Sequence, residues 1–409
     1  MIKVEDALKI VLRCIRILNS ETVKLVDSLG RVLAEDIRSD SNIPGFDNSA
    51  MDGYAVKSLD TKGARKDNPK VLDVADDIKA GDMPKKIVRP GQAIRIMTGA
   101  PIPKGADSVI MVEDTEKVSG VRCQVSGFVK IFKEVEPREN IRKAGEDIKK
   151  GDLVISKGTL LKSAHIGILA SLGRAQFKVF RKPKVAILAT GDELVDADER
   201  IGPGKLRSSN TYTLYSQILR YGGIPKNLGI ARDKPSELEK KIKAGVLTCD
   251  LILTSGGVSV GDYDLVKDIL AKMGTNIRFW KVAMRPGKPL VFGVIKGIPV
   301  FGLPGNPVSS MVVFEIFVRP VILKMLGQKK DERKKIEAVL EEDIKKKPGF
   351  RYFLRANTRW HQGRYLTRTT GPQGSAILKS MALANSLIIL PEDKEFVKKG
   401  ERVTVIFLD

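Results

Sequence analysis

Between about Lys182 and Gly327 the chain alternates short apolar runs with amphipathic stretches, and this alternation restricts the fold more than any other feature. Lys184-Val-Ala-Ile-Leu-Ala-Thr190 is an apolar run stopped by Gly191, as expected of a buried strand. After Ser209-Asn210, the spacing of Leu214, Ile218, Leu219 and Tyr221 predicts a helix, with Asn210 as its N-cap and Gly222-Gly223 as its stop. Asn227 to Ala231 reads as a second strand, and Pro235-Ser236 opens a helix through Leu238 and Ile242. Asp250 to Thr254 is a third strand, followed by Gly256-Gly257 and a helix over Leu265 to Met273. Leu290 to Gly293 and Val300 to Leu303 are further strands, and Val308 to Leu326 reads as one long apolar helix. Such alternation predicts a doubly wound, mainly parallel sheet. Ligands of these sheets sit beyond the carboxyl ends of the strands. The unusual residues fall there: Gly191-Asp192-Glu193, Arg232-Asp233, Ser255-Gly256-Gly257 and Pro304-Gly305-Asn306-Pro307 each follow a strand directly.

With 409 residues the chain exceeds one compact core, so several domains are expected. Residues 1–45 and 140–180 flank an inserted module, 46–139, whose Gly, Pro and short runs (Val71 to Val74, Ser108 to Val112) predict a small β-rich domain. Residues 181–327 are the α/β domain. A charged linker, Lys329 to Lys335, then leads into 328–409, whose apolar runs and turns at Pro348-Gly349 and Gly371-Pro372 predict a β-barrel or sandwich.

The formal charge is +22, a field that concentrates anions. The basic residues are dispersed and only 6% of residues are aromatic, with no recognisable nucleic-acid-binding signature, so a small polyanionic substrate is expected rather than nucleic acid. Cys14, Cys123 and Cys249 form neither a CxxC pair nor a disulfide framework, which suits a reducing compartment. The first residues mix charge with apolar side chains, unlike a signal peptide, and no apolar stretch reaches the roughly 18 residues of a membrane span. A cytoplasmic protein without membrane contact is expected.

Histidine-based chemistry is poorly supplied: His165 lies in an apolar helical pattern, and His361 has no acidic or cysteine neighbour. Carboxylates in glycine-rich turns are plentiful instead, namely Asp52, Glu193 and Asp264. Each alone reads as a turn residue or helix cap. Together they suit Mg²⁺, a hard cation that takes few protein carboxylates and completes its shell with phosphates. Ser255-Gly-Gly-Val-Ser-Val-Gly261 resembles a phosphate loop, with Asp262 where a Walker A motif has Lys. Met284-Arg-Pro-Gly-Lys-Pro289 holds two cations in a stiff turn, Arg285 suited to a bidentate oxyanion and Lys288 to a point charge. Pro304 and Pro307 make a rigid wall for a flat ring.

Phe46-Asp-Asn-Ser-Ala-Met-Asp-Gly-Tyr-Ala55, Arg95-Ile-Met-Thr-Gly-Ala-Pro101, Thr190-Gly-Asp-Glu-Leu194, the 255–261 loop, Arg285-Pro-Gly-Lys-Pro289 and Gly302-Leu-Pro-Gly-Asn-Pro-Val-Ser309, in this order, resemble the MoeA family, the family of the gephyrin E domain. Gly371-Pro-Gln-Gly-Ser375 matches as well. The resemblance implies a MogA-like α/β domain that binds molybdopterin, an inserted β-rich domain, an elongated linking domain and a C-terminal β-barrel. It further implies a homodimer whose active sites draw on both chains, and a transferase that inserts molybdate, or tungstate, into adenylyl-molybdopterin while hydrolysing the pyrophosphate to AMP. By residue, it implies catalytic roles for Asp52, Thr98, Glu193, Asp233 and Asp264, with Mg²⁺ on Asp52, Glu193 and Asp264. It implies substrate contacts for Asp147, Ser255, Gly256, Gly257, Arg285, Lys288, Pro304, Pro307 and Ser375. Arg285 stands where some members carry Lys. The rival readings are a molybdopterin adenylyltransferase, which shares the α/β fold, and a non-catalytic gephyrin-like scaffold.

Overall fold

The protein is described by a computed structural model covering residues 1–118, 127–257, 265–328 and 333–408. It divides into two compact units, one of Asp36–Lys157 with Ser163–Ala175, the other of Met1–Glu35, Gly158–Lys162 and Gln176–Asp409. No helix among the described residues is long and apolar enough to cross a membrane.

The first unit is built on a six-stranded sheet of Gly53–Val56 (β1), Lys70–Ile78 (β2), Gln92–Ile96 (β3), Ser108–Met111 (β4), Thr115–Val118 (β5) and Gly127–Ile131 (β6), in the spatial order β4-β1-β3-β2-β6-β5. Only β2 and β3 pair in parallel. Period-two alternation sends neighbouring residues to opposite faces. Tyr54 and Val56 join one apolar cluster with Leu72, Ile110 and Val129, while Ala55 joins another with Ile94, Ile96 and Val109. Short ladders, Asn48–Ser49 on Ile141–Arg142 and Ile37–Arg38 on Leu153–Ile155, tie the segments before and after the sheet into the same unit.

In the second unit, a six-stranded sheet holds Lys184–Thr190 (β7), Ile224–Ala231 (β8), Leu251–Ser255 (β9), Asn276–Lys281 (β10), Pro289–Ile295 (β11) and Ile298–Leu303 (β12), ordered β8-β7-β9-β12-β11-β10. The first four are mutually parallel, and β11 runs antiparallel to both of its neighbours, β12 and β10. Odd-numbered residues of β7 (Val185, Ile187) pack with Leu214 and Ile218 of helix α1 (Ser209–Arg220) and with Val308 and Val312 of α4 (Pro307–Val313). Even-numbered ones (Ala186, Leu188) pack with Leu238 and Ile242 of α2 (Pro235–Thr248) and Val266 and Leu270 of α3 (Leu265–Lys272). Helices thus cover both faces, the doubly wound arrangement that the sequence predicts.

Three helical expectations change. Asn210 is not the N-cap of α1; Ser208 occupies that position without a side-chain cap, and Asn210 lies in the first turn, buried. Leu219 is exposed, because on the helical wheel it points about 100° away from Ile218 and about 140° away from Leu214. The apolar helix from 307 runs through a π-helical turn, Phe314–Val318, before continuing as Arg319–Met325. Pro320 follows this turn and has no N–H for the Ile316 carbonyl, so the regular hydrogen-bond ladder cannot pass it.

The C-terminal segment forms a barrel, resolving the barrel-or-sandwich alternative. Lys335–Leu340 (β13), Arg351–His361 (β14), Arg364–Thr369 (β15), Ser386–Leu390 (β16) and Arg402–Phe407 (β17) run β14-β15-β13-β17-β16, and β16 pairs back onto β14. Ala338, Leu354, Ala356, Ile388 and Val405 share its core. Phe353, Leu387 and Ile406 face outward, into the cluster that holds α1 and α4. Met284–Arg285 adds alongside β14, in parallel with Arg351–Tyr352, so the basic turn is anchored to the barrel.

Gly53 opens β1 where a Cβ would fall inside van der Waals contact of the Ile110 carbonyl on β4. Gly53→Ala must push the strands apart, and a loss of about 1–3 kcal/mol is expected for such overpacking. Thermal or urea unfolding checks it; an unchanged midpoint would show that β1 and β4 can separate freely.

Candidate active site

The four parallel strands end at one edge, and their outgoing turns are laced together by hydrogen bonds. Gly191 N–H donates to Ala231 O at 3.2 Å, and Gly256 N–H to Leu303 O at 3.3 Å. The turns after β7 and β8 exchange bonds: Asp192 N–H to Asp233 Oδ2 (3.4 Å) and Asp233 N–H to Asp192 Oδ1 (3.3 Å). Arg232 Nη1 caps the Asp192 and Leu194 carbonyls, both at 3.1 Å, and Lys205 Nζ reaches Asp192 O at 2.6 Å. Glu193 and Asp233 are exposed beside one another's turns. The Glu193 carboxylate lies over Gly191, in space that a side chain at 191 would occupy.

Backbone approach at this edge requires glycine. Gly256 has φ +92°, and a Cβ there would sit 2.5 Å from Thr190 O. Gly257 has φ +66°, with Thr190 Oγ1 and Val266 Cγ2 each 2.7 Å from any Cβ. The absence of side chains leaves the loop backbone open to a ligand, the property that suits such loops to phosphate. Ser255 is buried at the end of β9. Pro304 is buried at the end of β12, and Pro307 is the first residue of α4. The loop beyond Gly257, with Asp264, lies outside the described residues.

Because β11 runs antiparallel to β12, its start at Pro289 lies at the edge where β12 ends. The Arg285–Lys288 turn therefore reaches the same side as Pro304. Both cations sit on one ring: Arg285 lies 4.7 Å and Lys288 6.0 Å from the Phe350 centroid, with Tyr352 6.0 Å from Arg285. Aromatic faces stabilise cations and restrict their rotamers, so both charges are held before an anion arrives. Ser375 enters through its backbone, accepting from Val308 N–H at 3.1 Å. Beneath that loop Arg355 is fully buried, its Nε donating to Ser380 Oγ at 3.1 Å and its Nη2 to Gly374 O at 3.0 Å. Burial pushes its guanidinium down to about 10.

Asp52, Thr98 and Asp147 belong to the other unit. Thr98 donates both its N–H (2.7 Å) and its hydroxyl (2.8 Å) to Asp52 Oδ1. Those two bonds hold the exposed Asp52 carboxyl below the ordinary carboxylate range. Asp147 is exposed, its N–H bonded to Ile43 O at 3.1 Å. Among the described residues no three His, Cys, Asp or Glu side chains converge to hold a metal.

Three family profiles match in sequence order: the MoeA N-terminal region (domains I and II) over residues 2–173, a probable molybdopterin-binding domain over 186–324, and the MoeA C-terminal region (domain IV) over 337–408. The chain is 39% identical to the molybdopterin molybdenumtransferase of Bacillus subtilis over 389 residues, 95% of this chain and 90% of that one. It is 38% identical to the enzyme of the same name from Haemophilus influenzae, over 94% of this chain and 93% of that one. The crystal structure of the molybdopterin biosynthesis MoeA protein of Pyrococcus horikoshii superposes with a TM-score of 0.84 at 33% identity, over the whole of both chains. The chain belongs to the MoeA family. Its relatives are named as transferases, and the family architecture of an α/β domain, a β-rich domain and a C-terminal barrel is present throughout.

Sequence reasoning read Asn210 as a helix cap and gave no site role to Thr190, Lys205 or the Phe350 platform. Asn210 was legible in principle, since it shares the period of Leu214, Gln217 and Ile218 and so lies on the buried face. Phe350 was not, because its proximity to Arg285 is a tertiary contact between distant segments.

Removing the Thr98 hydroxyl should let the Asp52 pKa rise toward its ordinary value of 3.8, while the backbone bond keeps part of the depression. Any contribution of Asp52 ionisation is thus present above that value and lost as pH falls through the depressed one. Carboxyl NMR titration of wild type and Thr98→Ala reads this directly; a wild-type Asp52 titrating at or above 3.8 would contradict the geometry.

Proposed function

We propose that this chain is a molybdopterin molybdenumtransferase, inserting molybdate into adenylyl-molybdopterin and cleaving the pyrophosphate bond with water to release AMP. The observation that carries the reading is the single sheet edge where glycine backbone, a proline turn and two ring-held cations meet, in a chain matching that enzyme's relatives over nearly its full length. Full-length similarity favours it over the adenylyltransferase reading, which needs only the α/β domain.

In this proposal Gly256 and Gly257 offer backbone to the phosphates, and Pro304 and Pro307 bound the flat pterin. Arg285 and Lys288 stabilise the charge that develops on the phosphoryl oxygens, an effect strongest when the donors are already oriented. Arg285 keeps the charge of a Lys and adds a planar fork for a tetrahedral oxyanion. Molybdate and tungstate share that shape. Glu193 and Asp233 are the acidic groups placed to orient water beside the phosphates. Their exposed carboxylates, without imidazole or thiolate, fit a Mg²⁺ that takes one or two protein ligands and the rest from phosphate and water. Such an ion, when bound, would supply Lewis-acid polarisation of a phosphoryl oxygen.

The direct experiment incubates the pure protein with adenylyl-molybdopterin, Mg²⁺ and molybdate, and follows AMP and active cofactor. Transfer of AMP from ATP to molybdopterin instead would establish the adenylyltransferase. Glu193→Gln should nearly abolish AMP release with the fold intact. Turnover within about tenfold of wild type, roughly 1.4 kcal/mol of barrier, would remove Glu193 from the mechanism.

The proposal includes a homodimer in which each site combines Asp52 of one chain with Glu193 of the other. Neither Asp52→Ala nor Glu193→Ala homodimers should then turn over. Random reassortment of the two makes about half the dimers mixed, each with one intact site, so activity should return to roughly a quarter of wild type. A dead mixture with verified mixed dimers would place both groups within a single chain.

A further inference from the structure

The amide of Asn210 joins the two loops that the transferase reading assigns to phosphate and pterin. Its Nδ2 donates to Ser255 Oγ at 2.7 Å and to Gly305 O at 2.8 Å. Ser255 ends β9 immediately before Gly256-Gly257, whereas Gly305 is the centre of the Pro304–Pro307 turn that ends β12. Asn210 stands on α1, whose inward Leu214 and Ile218 share the apolar cluster with the sheet. One amide thus spans three elements far apart in sequence. The Gly305 atom in contact with the amide is its carbonyl oxygen, which only accepts, so the amide nitrogen must face it, and this settles the orientation of the group. The consequence is that Asn210 Oδ1 is buried with no hydrogen-bond partner among the described residues, and Thr190 Oγ1, against Gly257, is in the same state. A buried acceptor left unsatisfied is destabilising. A side chain serving stability alone would not be expected to hold such an arrangement, and alanine at 210 would satisfy the helix.

A second observation concerns what else sets the spacing of these loops. A Cβ on Gly305 would lie 3.7 Å from Gly256 Cα, so the two turns meet backbone to backbone without an interlocking side chain. Among the described residues the two segments are otherwise joined by the β9–β12 ladder, which ends with Ser255 opposite Leu303, and by the long Gly256 N–H to Leu303 O contact, 3.3 Å. Beyond the end of that ladder, the Asn210 amide links Ser255 to Gly305.

We propose that Asn210 is a positioning residue for the transferase: its amide fixes the separation of the Ser255–Gly257 loop from the Pro304–Pro307 turn, and thereby the register in which a phosphate-bearing planar substrate spans them. The inference rests on the function proposed above, and its role is distinct from the helix cap that the sequence suggests.

The experiment uses the full-length protein and three variants, Asn210→Ala, Asn210→Asp and Ser255→Ala. Hydrogen exchange is read over residues 254–257 and 303–307, and AMP release is read per mole of folded enzyme, well below the unfolding midpoint. Asn210→Ala should speed exchange at both loops and lower kcat/KM at least tenfold, with a raised KM as part of the loss. Ser255→Ala removes one arm of the tie, so its effect and that of Asn210→Ala should combine less than additively. Asn210→Asp keeps the shape but presents a carboxylate to the Gly305 carbonyl. Once protonated it can donate to that carbonyl again, and burial raises the pH at which this happens. Its kcat/KM relative to wild type should accordingly recover as pH falls from 8 towards 5. A residue acting only through global stability would show no such pH-dependent recovery.

Unchanged exchange at both loops in Asn210→Ala and Asn210→Asp would overturn the tie itself. Faster exchange with kcat/KM within threefold of an active wild type would reduce Asn210 to a structural contact and overturn the positioning role. If wild type releases no AMP, the transferase reading fails, and exchange alone decides whether Asn210 sets the loop spacing. Should Asn210→Ala fail to fold, Asn210→Asp and Ser255→Ala carry the same comparison.

Discussion

The candidate site depends on how closely backbone can approach backbone at the carboxyl edge of four parallel strands. Gly256 fits against the Thr190 carbonyl and Gly257 against the Thr190 hydroxyl only because neither has a side chain. Parallel pairing of β7 with β8 and β9, and of β9 with β12, brings all four outgoing turns to that edge. Given this register, polar groups of neighbouring turns bond one another across the edge, as the Asp192–Asp233 exchange and the Arg232 caps show. The edge is rigid where it is laced and chemically open where glycine leaves the backbone bare.

The barrel contributes more than a separate fold. Phe353, Leu387 and Ile406 enter the same apolar cluster as α1 and α4, so its outer face and the α/β layer share one core. That shared core brings Phe350 under Arg285 and Lys288 and lays Ser375 against the start of α4. At the opposite margin of the sheet, Arg181 grips Asp250 with two bonds of 2.6 and 2.7 Å. Burial there favours the neutral acid, yet the Arg181 bonds and the Lys184 N–H more than offset it and hold Asp250 below the usual carboxylate range. Charge is thus stabilised in pairs away from the site, whereas Arg285, Glu193 and Asp233 remain exposed to meet a ligand.

The strands and helices of the α/β domain were legible because both faces of the sheet are covered, leaving continuous apolar runs bounded by glycine. The errors lay where local preference and tertiary demand diverge. Asn210 after Ser209 has the form of a cap, but a cap faces the helix end, whereas this amide is drawn inward by Ser255 Oγ and Gly305 O. The π turn before Pro320 arises from a missing N–H within an otherwise regular apolar pattern, which periodicity does not register.

By itself the sequence determined the fold class, the family and the positions of the conspicuous turns, since apolar periodicity and glycine–proline punctuation are local properties of the chain. Tertiary structure alone decided which turns touch, that one ring carries both Arg285 and Lys288, and that Asn210 ties Ser255 to Gly305. The physical reason is range. A period or a turn is written within a few residues, whereas a hydrogen bond between residues 45 or 95 positions apart exists only after the sheet has aligned its edges.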